Sequence, residues 1–184
     1  MKPGDEKRAD SPAVVTVERA TDFADIEAAV EVQHRGFVRV ALEMGLPDPH
    51  LLPPVTETAG EVESLLTARG AVMLVARAKD PDTGAVRVVG TVRGIPRADG
   101  TVDIGRLAVD DGWEGRGIGT ALMVALEAEY PDAARFELFT GRDAVGPIFL
   151  YTRLGYTITG DRELAPGVHL VWMEKCPNGR VDST

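Results

Sequence analysis

The chain holds a single cysteine, Cys176, in 184 residues. No intrachain disulfide can form, and a reducing compartment fits that usage. The three histidines, His34, His50 and His169, match no metal-ligand spacing with one another or with the cysteine. No metal site is therefore expected. Basic charge is in deficit: 20 Lys and Arg against 29 Asp and Glu give a formal net charge of −9. A general nucleic-acid binder needs a basic stripe to displace counterions, so this balance disfavours one. It leaves room for a local cationic pocket. No apolar run reaches the length of a membrane span. The opening MKPGDEKRADSP lacks the apolar core of a secretory signal. There is no internal repeat and no low-complexity linker. The expectation is a soluble, cytoplasmic protein with neither a membrane nor a nucleic-acid partner.

What is present reads as an ordinary globular domain, 44% hydrophobic and 27% charged. The length suits one domain with a proper core. Residues 1–12, polar and rich in Pro, Gly and charge, read as disordered; 176–184 read as a flexible tail; the domain is expected over 13–175.

Periodicity and punctuation predict the elements. AVVTVERA (13–20) alternates and is rich in β-branched residues, as a strand does. Asp22 can cap a helix over 23–34, with Phe23, Ile26, Ala29, Val30 and Val32 on its apolar side; a second helix, 36–44, ends at Gly45. LPDPHLLPP (46–54) reads as a proline-broken loop. Thr58 and Glu61 have capping-box spacing, which predicts a helix over 59–68 closed by Gly70. AVMLVARA (71–78) is almost continuously apolar, as suits a strand buried on both faces. The turn DPDTG (80–84) joins it to a second strand, 85–95, and 101–109 is a third. A helix follows over 118–129, with Gly119, Leu122, Met123 and Leu126 as its core stripe. ARFELFT (134–140) is a strand. PIFLYTRL (147–154) is a helix with Pro147 at its first position. Strands 156–160 and 168–174 close the order β-α-α-α-β-β-β-α-β-α-β-β, a mixed α/β sheet.

Between the third strand and the helix at 118 lies EGRGIGT (114–120), with three glycines in five residues. Glycine weakens a helix, so its repeated use at a helix mouth needs a reason. A helix start leaves backbone N–H groups unpaired and carries partial positive charge. Bare backbone ahead of it lets a phosphate come close, and Arg116 adds a positive charge. The nucleotide motifs fit poorly. A Walker loop would need a lysine before Thr120, and Gly-Arg-Gly-Ile-Gly-Thr lacks the spacing of a dinucleotide fingerprint.

The stretch GRLAVDDGWEGRGIGTALM (105–123) resembles motif A of the GNAT superfamily, the acyl-CoA-dependent N-acyltransferases. Leu107-Ala108-Val109 ends the strand as that motif does, and Gly117-Ile118-Gly119 supplies its glycines. FLYTRLGY (149–156) is similar to the family's "LYEKLGF" segment. The likeness covers roughly residues 13–175. It implies a single α/β domain with a mixed, mostly antiparallel sheet, flanking helices and a splayed central strand pair. It also implies acetyl-CoA bound by Leu107, Ala108, Val109, Glu114, Gly115, Arg116, Gly117, Ile118, Gly119, Thr120 and Tyr151. Two positions depart from the family: Glu114 stands where Gln or Arg is usual, and Ala144 where many members carry an asparagine.

Acyl transfer to an amine needs a neutral amine, a stabilised carbonyl oxygen and a proton for the leaving thiolate. The resemblance makes Tyr151 the candidate acid. Asp103, six residues before Val109, becomes the candidate base, alone or through water, with Glu57 as the alternative. Strand alternation puts Asp103 on the face of Gly105 and Leu107 unless a bulge intervenes, and Gly105 can host one. Arg106 can pair with an acidic neighbour or with a substrate carboxylate, and the sequence does not choose. The acceptor pocket is expected near His34, Arg35, Phe37 and Val38, the loop 46–54 and the turn 161–168. The expected function is N-acetyl transfer from acetyl-CoA to a primary amine of a small molecule in a ternary complex. The alternatives are a peptide or protein acceptor, or a non-catalytic acyl-CoA-binding domain. The sequence allows a monomer or a homodimer.

Overall fold

The structure, a computed structural model, describes residues 14–177. The expectations for residues 1–12 and for 178–184 lie outside the described residues. The elements are β1 (Val15–Arg19), α1 (Phe23–Glu43), a 3₁₀ turn (Pro49–Leu51), α2 (Pro53–Thr56), α3 (Ala59–Arg69), β2 (Val72–Lys79), β3 (Val86–Pro96), β4 (Thr101–Val109), α4 (Ile118–Ala128), β5 (Arg135–Gly141), α5 (Val145–Arg153), β6 (Thr157–Ala165) and β7 (Val168–Lys175). One sheet runs in the order β1-β2-β3-β4-β5-β7-β6. Every neighbouring pair is antiparallel except β4 and β5, which α4 joins as a parallel crossover.

The sheet is buried on both sides where β2 and β3 run through it. Met73 and Val75 meet Ile26, Ala29, Val30 and Val62 of α1 and α3 on one face. Leu74 and Ala76 meet Leu122, Met123 and Leu126 of α4 on the other. That explains the unbroken apolar run of β2: no position of it faces water until its end. The capping box of α3 is complete, with Thr58 and Glu61 bonded reciprocally and Gly70 left-handed at the C-cap. Among the described residues no helix is long and apolar enough to cross a membrane.

Four expectations need correction. The two helices predicted at 23–34 and 36–44 are one helix, α1. Gly36 does not break it, because Gly36 sits where α1 crosses β4: a Cβ there would lie 3.1 Å from that of Ala108. Glycine is used for close approach rather than as a stop. Phe23, expected on the apolar side, is exposed at the first position of α1. Helix α5 begins two residues early, at Val145, so Pro147 occupies its first turn, where no intrahelical N–H is lost. Most of the turn expected at 161–168 is strand, since β6 runs to Ala165.

Two of the glycines within helices, Gly36 in the middle of α1 and Gly60 in the first turn of α3, should respond oppositely to added side chains. Gly36→Val should cost about 1–3 kcal/mol by forcing α1 off β4. Gly60→Ala, with nothing within 4 Å of its Cβ, should gain up to about 1 kcal/mol. Urea unfolding of the two variants measures both signs.

Candidate active site

The site begins with a failure of pairing. Strands β4 and β5 are bonded only at Thr101↔Arg135, Val102↔Phe136 and Asp103↔Glu137. Beyond that they diverge, and each presents an unpaired backbone edge to the gap. On its other side β4 slips against β3: Thr91 pairs with Ala108 but Arg93 with Gly105, so β4 carries an extra residue there. The bulge is centred on Arg106, with φ 60°, and not on Gly105 as expected. It reverses the alternation. Val102 and Ile104 face α4, and so do Leu107 and Val109 beyond the bulge, whereas Ala108 faces α1. Asp103 therefore lies on the face opposite Leu107.

The loop after β4 is anchored before it reaches the glycines. Asp110 is buried and accepts from Arg35 Nε at 2.8 Å and Arg87 Nη1 at 2.5 Å. Burial pushes its carboxyl up, but the two guanidiniums outweigh burial and hold it below the usual carboxylate range. Trp113 is buried under the loop with the Arg116 guanidinium 4.8 Å from its ring centroid. Glu114, the departure from the family motif, does not point at the helix mouth. It accepts from Arg39 at 2.5 Å and from the Gly112 N–H at 3.0 Å. Arg39 also holds Asp111. These ties span more than 70 residues of chain, and no local pattern announces them.

Gly115 and Gly117 then take left-handed backbones, φ 70° and 79°, with open space where a Cβ would stand. Gly117 is the N-cap of α4 and offers no side chain to it. The N–H groups of Ile118, Gly119 and Thr120 have no intrahelical partner. Gly119 differs from the other two: it lies within the first turn of α4, and its Cβ would touch Leu150 at 3.4 Å.

A cavity of about 690 Å³ opens between these parts. Of the residues expected at the cofactor, Leu107, Ala108, Val109, Glu114, Gly115, Gly117, Ile118, Gly119, Thr120 and Tyr151 line it, and Arg116 does not. Gly36, Phe37 and Val40 of α1 close it from the other face of the sheet. Tyr151 is buried, and its phenol is pushed up to about 12 by burial alone. Its hydroxyl has no hydrogen-bond partner among the described residues. The nearby Tyr156, edge-on to Tyr151 at 6.0 Å, donates instead to Glu127. One tyrosine of FLYTRLGY is tied into the core and the other is left with its hydroxyl uncommitted.

The remaining expected residues fall on the α1 and α3 face. Asp103 does not line the cavity. It sits at the apex of the fork, 3.4 Å from Arg97, which also holds Glu137 at 3.1 Å. Burial raises its carboxyl, Arg97 opposes, and Glu137 and Asp99 add to the rise. Glu57 faces two arginines, Arg93 at 2.9 Å and Arg106 at 3.3 Å, and accepts from Gln33 at 3.0 Å. Burial pushes its carboxyl up, yet those partners hold it below the ordinary range. Of the expected acceptor residues, Phe37 lines the cavity, Arg35 is committed to Asp110, and His34 meets the Glu57 carbonyl at 2.8 Å. A second cavity of about 410 Å³ shares Val40, Gly146 and Pro147 with the first and reaches Gly167 and Val168 of the β6–β7 turn.

Residues 69–158 match a family model described as an acetyltransferase (GNAT) domain. No curated protein matches the chain in sequence. The fold is shared with solved structures of low identity. An N-acetyltransferase PaiA from Thermoplasma acidophilum, in complex with coenzyme A, is 13% identical with a TM-score of 0.68, covering 89% of this chain and 99% of its own. A putative acetyltransferase, YncA, from Salmonella typhimurium, with its cofactor acetyl-CoA, is 18% identical at 0.67, covering 88% and 93%. The ribosomal-protein-S18-alanine N-acetyltransferase of Escherichia coli is 16% identical at 0.64, covering 89% and 94%. The forked β4–β5 pair and the glycine-led α4 both lie within residues 69–158, the stretch that matches the GNAT acetyltransferase domain, and the whole described fold is the one these acetyltransferase structures share.

Proposed function

We propose that the protein is an N-acetyltransferase that moves an acetyl group from acetyl-CoA to a primary amine of a small molecule, by direct attack in a ternary complex. One observation carries the reading. The open left-handed loop, the unpaired strand edges and the uncommitted Tyr151 hydroxyl meet at a single cavity. The crystallised relatives that hold coenzyme A or acetyl-CoA support it.

The residues present fit acetyl-CoA. A pyrophosphate needs N–H donors and no side chain in the way, which Gly117 and the start of α4 supply. A pantetheine arm carries amides, and two facing backbone edges that lack partners suit them. Glu114 does not oppose this, being bonded to Arg39. When bound, acetyl-CoA supplies an activated thioester. The chain's residues then hold and move protons. Tyr151 stays neutral at every working pH, because burial lifts its phenol to about 12, so it can donate to the departing sulfur. Of the two carboxylates on the acceptor side, Asp103 is shifted toward neutrality and Glu57 away from it. Asp103 is thus the better base for the amine proton, reached through water since it stands outside the cavity lining.

Four measurements test this. Acetyl-CoA at about 100 times Kd should add about 2.7 kcal/mol to the folded state, raising Tm by roughly 5–10 °C. Gly117→Asp should fold, because aspartate tolerates the left-handed region better than most residues and meets open space, yet should lose that shift. A folded variant that keeps the shift would sink the cradle. Tyr151→Phe should lower kcat by about 10²-fold with little change in the KM for acetyl-CoA. The rate of the native protein should fall with acidification through a pKa above the ordinary aspartate value. Asp103→Asn should abolish that limb; if the limb persists, the base is another group. An amine panel that includes peptides with free N-termini separates small-molecule from protein acceptors.

A further inference from the structure

Arg106 is the one non-glycine residue with a left-handed backbone among the described residues. An L side chain there carries strain that glycine would not. Such strain persists where the residue does something that offsets it. The contacts of Arg106 within the chain use little of its guanidinium. Only Nε is engaged, by Glu57 at 3.3 Å. Nη1 and Nη2 have no hydrogen-bond partner, and neither is among the atoms sealed from solvent. The free edge of the fork is therefore open.

The surroundings explain what it awaits. Arg93 lies behind Arg106 with its side chain 4% exposed. Its Nη2 donates to both Glu57 oxygens, at 2.9 and 3.1 Å, while its Nη1 is buried without a partner. One carboxylate thus serves two guanidiniums. A poorly solvated, uncompensated positive charge favours an incoming anion, and a planar fork with two free donors matches the paired oxygens of a carboxylate. The opposite imbalance lies three residues away on the same strand, about 10 Å along it. There three carboxylates, Asp99, Asp103 and Glu137, share Arg97, with Arg135 also 3.9 Å from Glu137. The α1 and α3 face of β4 therefore offers an arginine-rich place and a carboxylate-rich place beside the fork. Arg106 directly precedes Leu107 of the cavity wall, and Gln33, which holds Glu57, lies one helical turn from Gly36 and Phe37 of that wall.

We infer that Arg106 is the acceptor-specificity residue: it binds the carboxylate of a small acceptor that carries an amine and a carboxylate together, as an amino acid does. The amine of an acceptor anchored there lies between Arg106 and the carboxylate-rich end, and its proton reaches Asp103 through water. This rests on the acetyltransferase reading and adds the class of acceptor to it.

The test compares matched acceptors. Free-thiol release from acetyl-CoA is followed with the twenty L-amino acids, their amides, and carboxylate-free amines including a polyamine. Turnover should be confined to acceptors with a free carboxylate, and each amide should be at least tenfold poorer in kcat/KM than its acid. Arg106→Gly and Arg106→Asn both tolerate the left-handed backbone, so both should fold and keep the Tm shift with acetyl-CoA. Both should raise the KM for the amino acid at least tenfold and leave the KM for acetyl-CoA unchanged. Acids and amides used equally, turnover of carboxylate-free amines or peptides alone, no turnover of any acid while acetyl-CoA still raises Tm, or variants with an unaltered acceptor KM would each overturn the assignment. Absence of any Tm shift with acetyl-CoA in the native protein overturns both readings, and that result is scored before the acceptors are.

Discussion

A sheet that refuses to close governs this molecule. From Asp103 and Glu137 onward, the facing edges of β4 and β5 hold backbone donors and acceptors that no strand satisfies. Unpaired backbone in the middle of a sheet is costly unless water or a ligand takes it up. The surrounding structure keeps the gap open rather than collapsing it. The bulge at Arg106 bends β4 away. Asp110, gripped by Arg35 from α1 and Arg87 from β3, fixes the end of the strand. Close packing of Gly36 on Ala108 lets α1 seat directly over the gap and wall it from behind. The cavity is therefore a consequence of strand geometry, and the glycine loop is its entrance.

Electrostatics reconciles an acidic chain with an anionic cosubstrate. The carboxylates around the cavity do not act as free negative charge. Asp110 is held by Arg35 and Arg87, and Asp111 and Glu114 by Arg39. Arg116 and Arg153, in contrast, pair with no carboxylate among the described residues and rest against aromatic rings instead. The net charge of −9 is thus a property of the outer surface, and local pairing decides the sign that a phosphate meets. Neutralising Glu114 through Arg39 also removes the objection that its position in the motif raises.

The parts legible in the sequence were those fixed by neighbouring residues. The capping box at Thr58 and Glu61, the doubly buried β2 and the glycine-led start of α4 all follow from local pattern. The motif resemblance extended this to a mostly antiparallel sheet with a splayed central strand pair. The parts that were not legible depend on what lies across the fold. Gly36 reads as a helix break until Ala108 is placed against it. A bulge can sit at Gly105 or Arg106 by composition, and glycine is the natural choice. It falls on arginine, whose side chain then reaches Glu57, 49 residues earlier. The end of α1 and the loop after β4, like β3 and the link between α2 and α3, are brought together only by the folded chain, so the Arg39–Glu114 and Arg93–Glu57 pairs leave no trace in spacing.

The same geometry gives the two carboxylates Glu57 and Asp103 opposite affinities for a proton. Glu57 accepts from Arg93, Arg106 and Gln33, so its charge is stabilised and its affinity for a proton is low. It can position Arg106 but is a poor proton acceptor. Asp103 is raised chiefly by desolvation; Arg97, shared with Asp99 and Glu137, and the more distant Arg135 oppose the rise, and repulsion among the three carboxylates adds to it. Protonating it relieves that repulsion, which is the property a base requires. It stands at the last paired residue before the fork, where the backbone is still held in register by β5. A carboxylate anchored there keeps its position whatever fills the gap beside it. The division follows from counting partners: the carboxylate with the most donors holds its charge most firmly, and the one with the fewest takes up a proton most readily.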